Sequence, residues 1–339
     1  MERIELHQPI DWPRLKEKIR RLFAVQNVGD ATLVHGGYMS QNFRLDTDVG
    51  PFFFKQYRNR MSASVYEVKD SEEFFFKHGL PVIRAIPDSL GRDAFAVSGY
   101  WYSLFPFVEA VRPVLGSFAP CLIPSIGNTL GRFHLAGPDV PSGYHHTLRV
   151  WDRRSFFSEF AELEQELASR PLLKDDEQDM LDLLRLKARL VKENDHTIRD
   201  FGLTFDCLLH GDFIYQNVFT DTEGNVSHVF DFEKTSMGPA AYELARSLMI
   251  TCFDDGWEER NIAMGRIFLA AYREVRDVSF DEFSRGMCLY ALKLFHTTWI
   301  EARAILYSHE YHTPFYEHHA KRVEHLSEDV RGLCERLYA

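Results

Sequence analysis

His210-Gly211-Asp212-Phe213-Ile214-Tyr215-Gln216-Asn217, followed by Val229-Phe230-Asp231-Phe232-Glu233, is the stretch on which the reading of this chain turns. Asp212 and Asn217 stand five residues apart on a tight loop, close enough for both side chains to serve one small volume. Asp231 returns fourteen residues after Asn217, on the far strand of a hairpin that turns at Asp221-Thr222-Glu223-Gly224-Asn225. Two carboxylates and one amide oxygen are hard ligands. They suit Mg²⁺, which takes few protein ligands and completes its octahedron with water and phosphate oxygens. Phosphoryl transfer needs such a set: one carboxylate for the attacking hydroxyl and an Asn/Asp pair to hold the metal on the phosphates. Taken singly, Asp212, Asn217 and Asp231 read equally well as turn-capping or loop residues. Their order and spacing together favour a site.

Outward from this stretch the chain changes character. The N-terminal third is strand-rich. After a basic amphipathic helix at 12–24, with Trp12, Leu15, Ile19, Leu22 and Phe23 on one side, come β-type runs at 32–34, 42–45 and 51–57, the last two joined by Asp46-Thr47-Asp48-Val49-Gly50. A helix is expected over 62–77, stopped by Gly79 and Pro81, and a second strand pair at 95–98 and 100–107. The remainder is mostly helical, with Ile126, Leu130 and Phe133 on one face and later helices at 240–252, 260–275, 281–308 and 315–337. The pattern implies a sheet-rich lobe at 1–106 and a helical lobe at 107–339, with a hinge near 106–110.

Composition bounds the function. The 339 residues carry 39 Lys+Arg against 50 Asp+Glu, a net charge of −11. So acidic a chain is a poor general binder of polyanions, and nucleic acid is not an expected partner. The 28 Phe imply a large aromatic core. Five scattered cysteines with no Cys-x-x-Cys pair speak against a zinc ribbon or disulfide scaffold and fit a reducing compartment. The charged first residues form no secretory signal and no run spans a membrane, so a cytoplasmic protein without a membrane partner is expected.

The Asp-to-Asn spacing is that of the protein kinase catalytic loop. The fuller series His210, Asp212, Asn217, Asp231, Glu233, then Gly238-Pro239 and Tyr242-Glu243-Leu244-Ala245, resembles the aminoglycoside phosphotransferase / choline kinase superfamily, which includes bacterial homoserine kinases and stress-response kinases. Glu243 stands where that superfamily usually has Asp. Weaker likeness extends to Gly79-Leu80-Pro81-Val82, Leu104-Phe105-Pro106-Phe107 and Leu130-Gly131-Arg132-Phe133-His134.

The resemblance implies a bilobal, protein-kinase-like α+β fold, with a small antiparallel-sheet lobe and a larger helical lobe. It implies ATP and Mg²⁺ as cofactors and γ-phosphoryl transfer to a hydroxyl of a small molecule. Asp212 would orient the acceptor hydroxyl and take its proton; Asn217 and Asp231 would bind the metal; Glu233 would support them or hold a second metal; His210 would support the loop. Lys55, ending the run Phe52-Phe53-Phe54, would position the phosphates with Glu67 as its helix partner and Glu72 and Glu73 as rivals. The glycine-rich segment with Gly36, Gly37 and Ser40 would approach the phosphates, and adenine would lie near 105–108, at Phe107.

Several features carry less. His309-Glu310-Tyr311-His312 is no zincin motif, because its histidines are not at i and i+4. The acidic run 253–259 reads first as a solvated helix start and second as a cationic acceptor site. Trp299 and Glu301 are candidate acceptor-pocket residues. Rival functions are a catalytically silent nucleotide-binding protein of kinase shape, a protein Ser/Thr kinase, and a metal-dependent hydrolase built on His210, Asp212 and Asp231.

Overall fold

The computed structural model describes residues 10–34, 40–57, 62–140, 144, 146–149, 151–307 and 314–339. The chain divides into two compact units, Met1–Pro113 with Asn217–Thr235, and Val114–Gln216 with Ser236–Ala339.

The first unit is built on a five-stranded antiparallel sheet: β1 (Val28–Leu33), β2 (Gln41–Thr47), β3 (Phe52–Tyr57), β4 (Phe95–Val97) and β5 (Tyr100–Pro106), in the order β1-β2-β3-β5-β4. Alternation along β3 decides its chemistry. Phe54 points into an aromatic core with Phe43, Leu45, Tyr102 and Leu104, closed by Leu15, Ile19 and Leu22 of helix α1 (Trp12–Leu22). Phe54 stacks on Tyr102 at 5.2 Å and Trp12 meets Phe43 edge-on at 5.1 Å. Because successive strand side chains face opposite ways, Phe53, Lys55 and Tyr57 face the other side. Lys55 sits opposite Asn42 on β2 and Ser103 on β5.

Helix α2 (Ser62–Lys77) packs on that second face through Val65, which meets Tyr57. It ends where Gly79, at φ +72°, turns the backbone so that Gly79 and Leu80 bond back to the carbonyls of Phe76 and Phe75. The hairpin β7 (Val218–Thr220) and β8 (Val226–Val229) also belongs to this unit. Sequence order groups 217–235 with the helical residues around it, but backbone bonds tie it elsewhere. Val229 N–H donates to Pro81, Ile83 N–H to Val229, and Thr220 N–H to Val111.

The second unit carries β6 (Cys207–Leu209) paired with β9 (Ser236–Gly238), and helices α3 (Leu122–Ala136), α4 (Arg153–Ala168), α5 (Asp175–Glu193), α6 (Ala240–Phe253), α7 (Glu259–Arg273), α8 (Phe280–Phe295), α9 (Trp299–Tyr307), α10 (Pro314–Glu328) and α11 (Val330–Tyr338). Ile126, Leu130 and Phe133 are wholly buried, as their spacing predicts. Helices α3 and α7 approach so closely that a Cβ at Gly127 would collide with the backbone of Phe268.

Two long helices expected from periodicity are each broken. The run 281–308 is interrupted at 296–298. There the His296 ring and the Thr297 hydroxyl turn back to the carbonyls of Leu292 and Lys293, and Lys187 of α5 bonds the Thr297 carbonyl. The run 315–337 is interrupted at Asp329, whose carboxylate accepts the Gly332 N–H at 2.7 Å and so starts a new helix.

Lys187 belongs to a fully buried trio. Its Nζ lies 2.5 Å from Glu301 of α9, which is 3.2 Å from His319 of α10. Burial pushes His319 down to about 4. Burial works against the Glu301 carboxylate as well, but Lys187 and His319 draw it down to about 2.

Two outcomes follow for stability. Gly127→Ala should lower the unfolding free energy by about 1–3 kcal/mol through overpacking against α7, read by urea denaturation. The unfolded imidazole takes a proton near pH 6.5 and the folded one only near 4, so the unfolded state holds more protons between those values. Stability should therefore fall as pH drops through that window. A His319→Gln variant should show a shallower fall in Tm over the same range; identical slopes would remove His319 from the account.

Candidate active site

In the first unit, four groups named from the sequence meet. The Lys55 ammonium bonds Asp231 Oδ1 at 2.8 Å and lies 2.5 Å from Glu233 Oε1; Ser40 donates to the same Glu233 oxygen at 2.5 Å. Burial alone would depress the Lys55 pKa, but the Asp231 and Glu233 carboxylates outweigh it and hold the amine protonated far up its range. Asp231 and Glu233, which follow the β7–β8 hairpin, thus lie within ion-pair distance of Lys55. On α2 it is Glu72, buried and 2.5 Å from Lys69, whose charge adds to the field at Lys55 and Lys69; Glu67 is half-buried on the same helix and Glu73 pairs with Lys77 and Arg84.

The hairpin explains why Asn217 belongs to this group. Val218 is paired with Val229, and Phe230 N–H donates to the Asn217 carbonyl at 3.1 Å. Asn217 and Asp231 therefore leave the same open end of the hairpin. Asp231 has φ +69° and ψ 66°, a left-handed conformation that Asp tolerates better than most residues. It is held there by the next residue: Phe232 is buried against Phe75 of α2 at 5.9 Å, and Thr235 bonds back to its carbonyl. Strain of about 1–3 kcal/mol of this kind persists where surrounding packing over-determines it, often at functional sites.

The donor chemistry of this set fits a divalent hard cation. Asp231, Glu233 and the Asn217 amide offer oxygen ligands, and the two carboxylates face the Lys55 ammonium. Among the described residues no three His, Cys, Asp or Glu side chains form a cage of their own. Phe107 is half-buried beyond β5, with the Arg44 guanidinium 4.9 Å from its ring. Gly36 and Gly37 lie outside the described residues, as do His309 to His312.

In the second unit, the loop after β6 is shaped by one carboxylate. Glu243 of α6 accepts the backbone N–H groups of His210, at 3.0 Å, and of Gly211, and pairs with His134 Nε2 at 3.0 Å. Burial works to raise its pKa; the bonds from His134 and Gly211 prevail and lower it. Glu243 therefore supplies the loop contact at the position where Asp is usual. His134 is itself held by the Tyr272 hydroxyl at 2.9 Å. Gly211 has φ +82°, which a side chain would strain, and the Asp212 N–H donates to His210 Nδ1 at 3.2 Å. His210 is wholly buried against Phe133 and Phe213, a supporting place rather than a reacting one.

Asp212 is ion-paired with Arg246 at 2.5 Å. Arg246 escaped the sequence reading, although it stands three residues after Glu243 and so on the same helix face. One turn of α6 thus holds the backbone of the loop with Glu243 and the Asp212 carboxylate with Arg246. Trp299 is 45% exposed, whereas Glu301 is committed to Lys187 and His319 and is closed to an acceptor.

An antiparallel sheet joined to a helical body, a strand lysine facing an Asp/Glu pair, and a His-Gly-Asp loop define a kinase-type phosphotransferase with an alcohol group as acceptor. The family model described as the phosphotransferase enzyme family matches residues 30–278, and the chain belongs to that family. It is similar to the homoserine kinases of Nitrobacter winogradskyi, 24% identical over 78% of this chain and 76% of the relative, and of Rhodospirillum rubrum, 26% identical over 73% and 72%. Among solved structures it shares its fold with a spectinomycin phosphotransferase in complex with ADP and spectinomycin, at TM-score 0.62 and 13% identity over 98% of this chain and 99% of that one. It shares it also with a microcompartment-associated aminopropanol kinase, at TM-score 0.61 and 14% identity over 96% and 95%. No helix among the described residues is long and apolar enough to cross a membrane.

Glu243→Gln would remove the charge from three hydrogen bonds at once. It should cost about 1.5–3 kcal/mol of stability, measured by urea unfolding. An unchanged midpoint would show that the loop holds its shape without this carboxylate.

Proposed function

We propose that the protein transfers the γ-phosphoryl group of ATP, in the presence of Mg²⁺, to a hydroxyl of a small molecule. The observation that carries the reading is the Lys55–Asp231–Glu233 cluster, formed between residues 176 and more positions apart in sequence. In this reading Asp231 and Asn217 hold the metal, which neutralises phosphate charge when bound. Lys55, now bonded to two carboxylates, takes the phosphate oxygens as alternative partners. Ser40 and Glu233 keep the lysine in place, and the hinge near Phe107 holds the adenine.

Asp212 accepts the proton of the acceptor hydroxyl. The hydroxyl oxygen bonds to the γ-phosphorus while the bond from that phosphorus to the bridging oxygen breaks, and ADP departs. Arg246 fixes which oxygen of Asp212 is presented. Catalysis of this kind is mostly positioning and charge stabilisation. The homoserine kinase relatives and the aminopropanol and spectinomycin kinases of the same fold support an acceptor of amino-alcohol, hydroxyamino-acid or aminocyclitol type.

Asp212→Asn should lower kcat by about 10²–10⁴-fold with the nucleotide Kd nearly unchanged, whereas Lys55→Met should weaken nucleotide binding. ADP release with an acceptor panel and calorimetry with Mg-ATP make the comparison. Full turnover by Asp212→Asn would refute the assignment of the base.

A further inference from the structure

The helical unit buries a second charged group beside the first. Asp254, which ends α6, accepts a hydrogen bond from Nη1 of Arg322 on α10, and its other oxygen stands 3.8 Å from Nδ1 of His318. The Arg322 and Asp254 side chains are only 5% and 7% exposed. Tyr290 of α8 lies in the fields of Arg322, Arg246 and Asp254 together, and Arg246 acts on Asp254 as well. The pairs Asp254–Arg322 and Asp212–Arg246 therefore share one neighbourhood in this unit.

Arg322 is not fully used. Its Nε is buried and has no hydrogen-bond partner among the described residues. A guanidinium N–H withdrawn from water and left unbonded is costly, and such atoms in native structures call for an explanation such as a ligand.

We infer that Arg322 and Asp254 form the subsite for the amino-acid end of the acceptor, the carboxylate on the Arg322 Nε–H edge and the ammonium on Asp254. The inference rests on the phosphotransferase reading and narrows its acceptor to a zwitterionic hydroxyamino acid. With Nη1 turned to Asp254, the side-on edge of the guanidinium fork is the one left for a carboxylate, which it matches in shape. A zwitterion brings one charge of each sign and leaves this buried set neutral. A polyamine finds no uncompensated carboxylate here, since Asp212 and Asp254 each carry a guanidinium. The acidic run beyond α6 offers it none either: Asp255 accepts from Asn261 at 2.6 Å, and Arg260 pairs with Glu258 at 3.0 Å.

Calorimetry on the full chain tests this with L-homoserine, L-serine and L-threonine, and with 3-aminopropan-1-ol as the acceptor lacking the carboxylate. At least one hydroxyamino acid should bind about tenfold or more tighter than the amino alcohol. Arg322→Gln should abolish that preference by weakening the hydroxyamino acid, and, because it frees the Asp254 carboxylate for an ammonium, it should not weaken the amino alcohol. If Arg322→Gln fails to fold, the double variant Arg322→Met with Asp254→Leu removes both charges together and preserves packing, and it should show the same loss. Equal binding of all probes, or a retained preference in a folded variant, overturns the subsite. Mg-ATP is titrated in parallel: nucleotide binding without amino-acid discrimination sinks this inference alone, and absence of nucleotide binding sinks the phosphotransferase reading.

Discussion

A carboxylate taken out of water must be met by hydrogen-bond donors or it will not stay ionised, and Glu243 is the carboxylate on which the His210-Gly211-Asp212 loop depends. It is 1% exposed and receives two successive backbone N–H groups of the loop and one histidine nitrogen. Those bonds tie the turn at His210-Gly211 to the acid, and they fix where Asp212 begins. The imidazole of His134, steadied by Tyr272, closes the set from α3. Because α6 then delivers Arg246 one turn later, backbone and side chain of the loop are held from a single rigid element.

The first unit uses the same rule with the sign reversed. Lys55 is a buried cation on a strand whose neighbours are aromatic, and Asp231 and Glu233 outweigh the cost of burying its charge. That pairing has a second effect. It draws the left-handed Asp231 into place, with Phe232 packed behind it and the Asn217 carbonyl bonded beside it. Positive and negative groups are thus held in place by one another, and opposite charges ordered in advance are what a preorganised polar site requires.

How much of this was legible differs by element. The strands of the five-stranded sheet, helix α2 with its glycine stop, and the hairpin turn were written locally, in alternation, caps and turn residues, whereas the short strands β6 and β9 were not. Periodicity misled where it ran on: 281–308 and 315–337 each carry an unbroken apolar face. Yet a hydrogen bond from Lys187, more than a hundred residues away, helps end the first helix, and Asp329 caps a new one in the second. The acids that pair with Lys55 were harder to read, because Asp231 and Glu233 follow a hairpin that backbone bonds tie to Pro81, Ile83 and Val111, far from the lysine in sequence.

By itself the sequence pointed to the class of chemistry, because His210, Asp212, Asn217, Asp231 and Glu233 stand in an order and spacing that resembles a phosphotransferase family, and the chain belongs to that family. Tertiary structure alone decided which charges neutralise which: Lys55 with Asp231 and Glu233, Asp212 with Arg246, Arg322 with Asp254. The reason is physical. Local spacing follows from bond geometry, which each residue carries with it, whereas the pairing of buried charges depends on which elements exclude water together, and that is a property of the packed whole.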